Sequence, residues 1–352
     1  MKLEIEKMYQ KSLKLKDEEK VDSLKNLLVI CEDTEEHSYG YAIRFQLFKE
    51  YRAIGKLYNA IKLYMANIQV FLEHRYTIKP LLDNFAWVAT YIDSVRNIQQ
   101  KEINDFFNNM KNVYEISGFS LRSFYHEYYN YLMRIGKWEE GFTTYSRWMV
   151  ESRDEASQSI GKEESDRAFY YFNVGDYDNG KYVFESVKKG FDCPSGTRTY
   201  AYARAVKYYF ELKDWEMTSY LMQRGYDFAK YKQGATEEVA EIMKSLTILN
   251  PKIALKVWEK HRYEVNKSEN ERTKFSFGVS SYLLEKSLGA HLVGTKKLHK
   301  INECVKEMYD IQKFMDERNG TSAYHDELAY WGEVWDNFNK RTKKLKQQKK
   351  SS

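Results

Sequence analysis

Residues 171–184 read Tyr171-Phe172-Asn173-Val174-Gly175-Asp176-Tyr177-Asp178-Asn179-Gly180-Lys181-Tyr182-Val183-Phe184. An aromatic-rich segment runs into Gly-Asp, and a second amphipathic segment follows with a small residue near its start. Gly175 can take the left-handed conformation that ends a helix. Asp176 can cap the next helix by accepting one of its free backbone N–H groups. Gly180 lets two helices approach closely, and large side chains at spacings of three and four share one face. The stretch therefore predicts a tight hairpin of two helices.

The same pattern recurs on both sides. Copies stand at Leu132–Tyr145 with Gly136-Lys137-Trp138 in the turn, at Tyr209–Thr218 with Lys213-Asp214-Trp215, and at Tyr51–Ala60 with Gly55-Lys56-Leu57. A weaker copy at Leu249–Trp258 turns at Asn250-Pro251. The small residue falls at Ala60, Gly141, Gly180, Thr218 and Ala254, with gaps of 81, 39, 38 and 36. The first gap is about twice the others, which predicts a degenerate unit near Asp93–Phe107. Asp214 and Asn250 are expected to cap as Asp176 does. The turn aromatics Trp138, Tyr177 and Trp215 are expected to pack between helices. So are the large residues four past the small site: Tyr64, Tyr145, Phe184, Met222 and Trp258.

This pattern resembles the tetratricopeptide family. Tyr51, Tyr171 and Tyr209 match its Tyr before the turn, and Gly55, Gly136 and Gly175 match its turn glycine. Ala60, Gly141, Gly180 and Ala254 match its small site. The likeness covers Tyr41 to about His261, with gaps. The period exceeds the family's 34 residues, and most units lack its closing proline. The resemblance implies an all-α fold, an α-α superhelix (solenoid) of about six to eight antiparallel helix pairs. It also implies a groove lined by the first helix of each pair. The inward positions would be Phe45, Lys49, Arg52, His126, Asn130, Met133, Phe169, Phe172, Arg204, Lys207 and Phe210. Aromatic anchors with a few polar groups suit an extended or helical peptide. Of the carboxylate clamp that some relatives use on chaperone tails, only Lys49, Asn130, Arg204 and Lys207 occur. Chaperone-tail binding is not expected.

Residues 1–36 are read as N-terminal capping helices, 37–265 as the repeats and 266–339 as irregular helical pairs that cap the other end. The last part divides into helices Glu271–Ser287, Lys296–Arg318 and Ala323–Lys346, punctuated by Gly289, Gly294 and Gly320. Residues 340–352 read as a basic, disordered tail.

Composition agrees with long helices. Only 3 prolines interrupt the chain, apolar residues make up 43% and charged residues 30%. There are 30 Tyr, 19 Phe and 7 Trp, large rings that fill gaps between helices. The formal net charge is +5, but seven positive charges lie between Lys340 and Lys350, which leaves the body at −2. A near-neutral body is a poor partner for phosphate backbones. Nucleic acid is disfavoured, except through the tail Lys340–Lys350. Three widely spaced cysteines fit a reducing compartment. The start of the chain carries no apolar segment of a secretory signal, and no stretch is apolar enough to span a membrane. A cytoplasmic protein with no membrane partner is expected.

Chemistry-bearing motifs are few. His126-Glu127-Tyr128-Tyr129-Asn130 lacks the second His of a zinc helix, and no cysteines sit at ligand spacing, so no metal is expected. Gly289–Lys296 mimics a phosphate loop but inverts its Lys-Thr order, and reads as an interhelical turn. Cys193 in Phe191-Asp192-Cys193-Pro194 is a loop thiol with no His near it in sequence. No catalytic residue and no cofactor are assigned, and the chain is read as a non-enzyme.

The expected function is a scaffold that binds a protein or peptide and acts by sequestering or inhibiting it, of the immunity or anti-defence type. Richness in Lys, Asn, Tyr and Ile suggests a bacterial or phage source. One alternative is a peptide-responsive regulator acting through a protein partner; the segment before Glu36 is too short for a helix-turn-helix domain. Another is a helical-repeat nucleic-acid binder that uses the basic tail. Self-association is compatible with all three.

Overall fold

A computed structural model describes residues 2–190, 192–232 and 234–351, with the side chains of Ser195 and 342–351 outside the description. The basic tail expected over 340–352 thus lies, from residue 342, beyond the described side chains. The described residues form helices and turns and no strand. They gather in two compact units, Met1–Ser157 and Gln158–Ser352. The first holds α1 (Lys2–Leu13), α2 (Asp17–Asp33), α3 (His37–Ala53), α4 (Leu57–His74), α5 (Lys79–Tyr91), α6 (Gln100–Ile116), α7 (Arg122–Arg134) and α8 (Trp138–Val150). The second holds α9 (Ile160–Asn173), α10 (Tyr177–Lys189), α11 (Ser195–Glu211), α12 (Trp215–Ala229), α13 (Thr236–Leu249), α14 (Pro251–Lys267), α15 (Glu271–Leu292), α16 (Lys296–Asn319) and α17 (Ala323–Ser351). Consecutive helices pack as pairs within each unit, the arrangement of an α-α solenoid.

The turns explain the pairing. Gly55, Gly136 and Gly175 sit at φ of 76°, 78° and 80°. After each, the next N–H reaches back to a carbonyl five residues earlier: Lys56 to Tyr51, Lys137 to Leu132 and Asp176 to Tyr171, each at 2.9 Å. This closes the carbonyls that a helix end leaves open. Lys213 performs the same turn without glycine, at φ 58°, with Asp214 N–H donating to Tyr209 at 3.0 Å. Thr34–Glu36 repeats it as well, with Glu35 at φ 55° and Glu36 N–H donating to Cys31. The expected caps are present: Asp176, Asp214 and Asn250 accept from the N–H groups of Asn179, Met217 and Ile253. Thr295 caps α16 by accepting from Leu298 N–H, but the expected turn over Gly289–Lys296 shrinks to residues 293–295, because α15 continues through Gly289 to Leu292 instead of ending at Ser287.

The small sites Ala60, Gly141, Gly180, Thr218 and Ala254 are all buried, as are Tyr64, Tyr145, Phe184 and Trp258. Two expectations need correction. Trp138, Tyr177 and Trp215 are not buried between helices; they are 49%, 37% and 46% exposed, because each is the first helical residue and lies at the rim of its pair, where Trp215 still meets Phe210 of α11 edge-on. The degenerate unit near Asp93–Phe107 is not a hairpin either. Ile92–Ser94 forms a 3₁₀ turn, and α5 and α6 each pack on α4 and α7. The cause is Asp93, fully buried and held by Arg134 from α7 at 2.9 Å; Arg134 also donates to the Ala89 carbonyl at 2.6 Å. Satisfying that charge fixes the chain in an eight-residue connection, and no glycine stands there to close a tight turn.

Candidate functional site

In the second unit the first helices of the pairs lie side by side: α9 on α11, α11 on α13, α13 on α15. Their shared face carries charges and rings in alternation. At one end Asp166, fully buried on α9, is held by Lys162 and by Arg204 of α11, the latter at 3.4 Å. The Arg204 guanidinium lies 4.2 Å from the Phe169 ring centroid. Phe172 stacks on Tyr208, whose hydroxyl donates to Asn173 at 2.8 Å.

At the centre stands Lys244 on α13, with 2% of its surface exposed. Its ammonium donates to Glu241 at 2.8 Å and to Glu327 of α17 at 2.6 Å. Ser276 of α15 donates to Glu241 at 2.6 Å. Burial alone would lower the Lys244 ammonium, but the two carboxylates hold it above its ordinary value. Burial pushes Glu241 up, yet Lys244 and Ser276 outweigh it and keep that carboxyl below its usual range. The pair is therefore ionised at neutral pH.

Helix α17 lies along this face. Tyr324 meets Phe275 edge-on, and Trp331 packs against Phe210 and over Lys244. The Tyr330 hydroxyl donates to Glu211 at 2.6 Å, and its ring takes the Lys207 ammonium at 4.6 Å. Trp335 donates to Ser287, and Asp336 pairs with Lys286 at 3.3 Å. Residues 324, 327, 328, 331, 334, 335 and 338 repeat at three and four, so one stripe of α17 is seated on the face.

The residues expected to line a groove divide by burial. In the first unit Phe45, His126, Asn130 and Met133 are buried. Phe45 meets the Tyr41 and Tyr64 rings, and His126 stacks on Trp148 at 4.2 Å. Lys49 is exposed, and Arg52 lies over Trp87 and donates to Asn84. In the second unit Phe169, Phe172 and Phe210 are buried, while Arg204 and Lys207 are half-buried. The structure brings Phe169 to Arg204 and sets Lys207 and Phe210 against α17. Sequence reading missed Glu241, Lys244, Ser276, Glu327, Tyr330 and Trp331. A signal was present, since Glu241 and Lys244 interrupt the apolar run of α13 three residues apart.

Cys31, Cys193 and Cys304 are buried, and burial raises all three thiols, Cys304 to about 11. The Cys193 loop thus holds a protonated thiol and no ready nucleophile. No helix among the described residues is long and apolar enough to cross a membrane. Comparison with protein-family models and with curated proteins finds no match to this chain.

Proposed function

We propose that this chain is a non-enzymatic scaffold, a divergent tetratricopeptide-type array, that binds a protein or peptide through the α11–α13–α15 face and sequesters or inhibits it. A bacterial or phage cytoplasm is the proposed setting. The supporting observation is the chemistry of the face. It presents rings beside fixed charges, and those charges are paired with neighbours on the same surface. Aromatic anchors flanked by satisfied polar groups are what a helix-in-groove or peptide site requires.

The test is affinity capture from the native host, read by mass spectrometry, with wild type beside Lys207→Glu on α11. The expected result is a stoichiometric partner that the variant loses while its circular dichroism is unchanged. Full recovery by the variant would place the binding surface elsewhere.

A further inference from the structure

The helix that now covers the α11–α13–α15 face is itself informative. We propose that α17 is a displaceable occupant of that face, and that the partner is an amphipathic helix of like chemistry. That helix carries an acid three residues ahead of an adjacent aromatic pair, as Glu327, Tyr330 and Trp331 do. This rests on the scaffold reading and adds the partner's chemistry and its control.

Three observations carry it. First, the face stays electrostatically paired without α17. Lys244 keeps Glu241, and Glu241 keeps Ser276. Glu211 stands one helical turn from Lys207 and can turn to it. Departure of α17 leaves Lys244 its Glu241 partner, so it avoids the penalty of an uncompensated buried charge. Second, the seat is only partly closed. Between Ala323 and Arg341 only Tyr324, Trp331 and Gly332 are fully buried and Leu328, Tyr330, Val334, Trp335 and Phe338 are half-buried, while the neighbouring α15 buries residues on all sides, Phe275, Val279 and Leu283 among them. Third, the seat is imperfect. The Trp331 indole N–H is buried, at 1% exposure for the residue, and finds no acceptor among the described residues. An unmet buried donor opposes docking, so a partner whose second aromatic leaves no donor unmet gains relative to α17. The chain enters α17 through Gly320, in the left-handed conformation at φ 66°, and the short turn to Ser322. Displacement must also free α17 from α16, while the extensive packing of α15 on α16 does not involve it.

Self-occupancy sets an affinity rule. An outside helix binds only the fraction of molecules whose face is open, so weakening α17 in cis tightens binding in trans by the same factor. The probe is a fluorescein-labelled peptide of residues 323–341, titrated by anisotropy into the full chain and into full-length Glu327→Gln/Trp331→Ala. The expected result is roughly tenfold or greater tightening on the variant. A peptide carrying its own Glu327→Gln should bind that variant more weakly than the unmodified peptide does. Equal affinity for both chains would overturn the gating but leave a helix-binding face and the scaffold reading standing. Absence of binding to a folded variant would overturn the partner chemistry, and the capture experiment would still decide the scaffold reading. If the variant does not fold, hydrogen exchange on the wild-type chain decides. Displaceability requires α17 amides before residue 341 to exchange faster than those of α13 and α15. Equal protection would overturn it.

Discussion

Gly180 offers a direct measurement of how tightly α9 and α10 are packed. A Cβ built there lies 2.7 Å from Cδ1 and Cε1 of Phe172 and 3.2 Å from its Cγ. Carbon atoms in contact prefer about 3.5–4.0 Å, so the methyl overlaps by nearly 1 Å. The ring has nowhere to go: it stacks on Tyr208 with centroids 4.9 Å apart and meets Tyr209 at 5.9 Å. Alanine gains about 1 kcal/mol of helix propensity over glycine, and overpacking of this kind loses about 1–3 kcal/mol. Gly180→Ala should therefore lose about 1 kcal/mol net, and Gly180→Leu about 3 kcal/mol, the upper end of that overpacking range. Two controls share the propensity term. Gly289, where the Cβ meets only Glu285 Cγ at 3.7 Å, should gain about 0.5–1 kcal/mol as alanine. Gly141, facing the flexible Met133 sulfur at 2.7 Å, should fall between. Thermal and urea unfolding of the three alanine variants side by side reads the differences, at about 2–4 °C per kcal/mol for a unit of this size. A Gly180→Ala protein as stable as Gly289→Ala would refute the close approach of these helices.

Other perturbations follow from the same structure. Lys213 holds a left-handed conformation at φ 58°, so Lys213→Gly should stabilise by about 0.5–1 kcal/mol; a loss in melting temperature would contradict the turn. Lys244→Met leaves Glu241 and Glu327 facing each other and should lose about 3 kcal/mol, much of it recovered in Lys244→Met/Glu241→Gln. Additive losses in urea unfolding would show that the pair is not coupled. Glu238 is raised to about 7 by burial and by Glu237, so the folded chain binds its proton more tightly than the unfolded one. That contribution is complete below about pH 4.5 and is lost as pH rises through 7. Glu238→Gln should therefore be about 1–2 kcal/mol more stable than wild type at pH 8 and equal to it near pH 4.5; a pH-independent difference would exclude the shift.

The hairpins were legible because their determinants are local. In residues 171–184 the turn, the cap and the close crossing at Gly180 are set by hydrogen bonds and contacts spanning fewer than fifteen positions. Any chain with that order of residues meets the same geometry. The all-helical class, the caps and the buried small sites therefore follow from the sequence. The left-handed turn at Glu35 was less visible, since its residue gives no glycine signal.

Packing over longer distances decided the rest. Asp93 interrupts the repeat because its charge must find Arg134, 41 residues away. Phe45, His126 and Phe172 occupy first helices, as expected, but turn into the core, because helix rotation is set by neighbours rather than by register within the helix. The candidate face depends on Lys244 meeting Glu327 across 83 residues and on Tyr330 meeting Glu211 across 119. The sequence alone determined that helices pair and where they turn. Tertiary structure alone decided which surface they share and that α17 covers it, since burial and charge pairing between distant helices are properties of the packed chain.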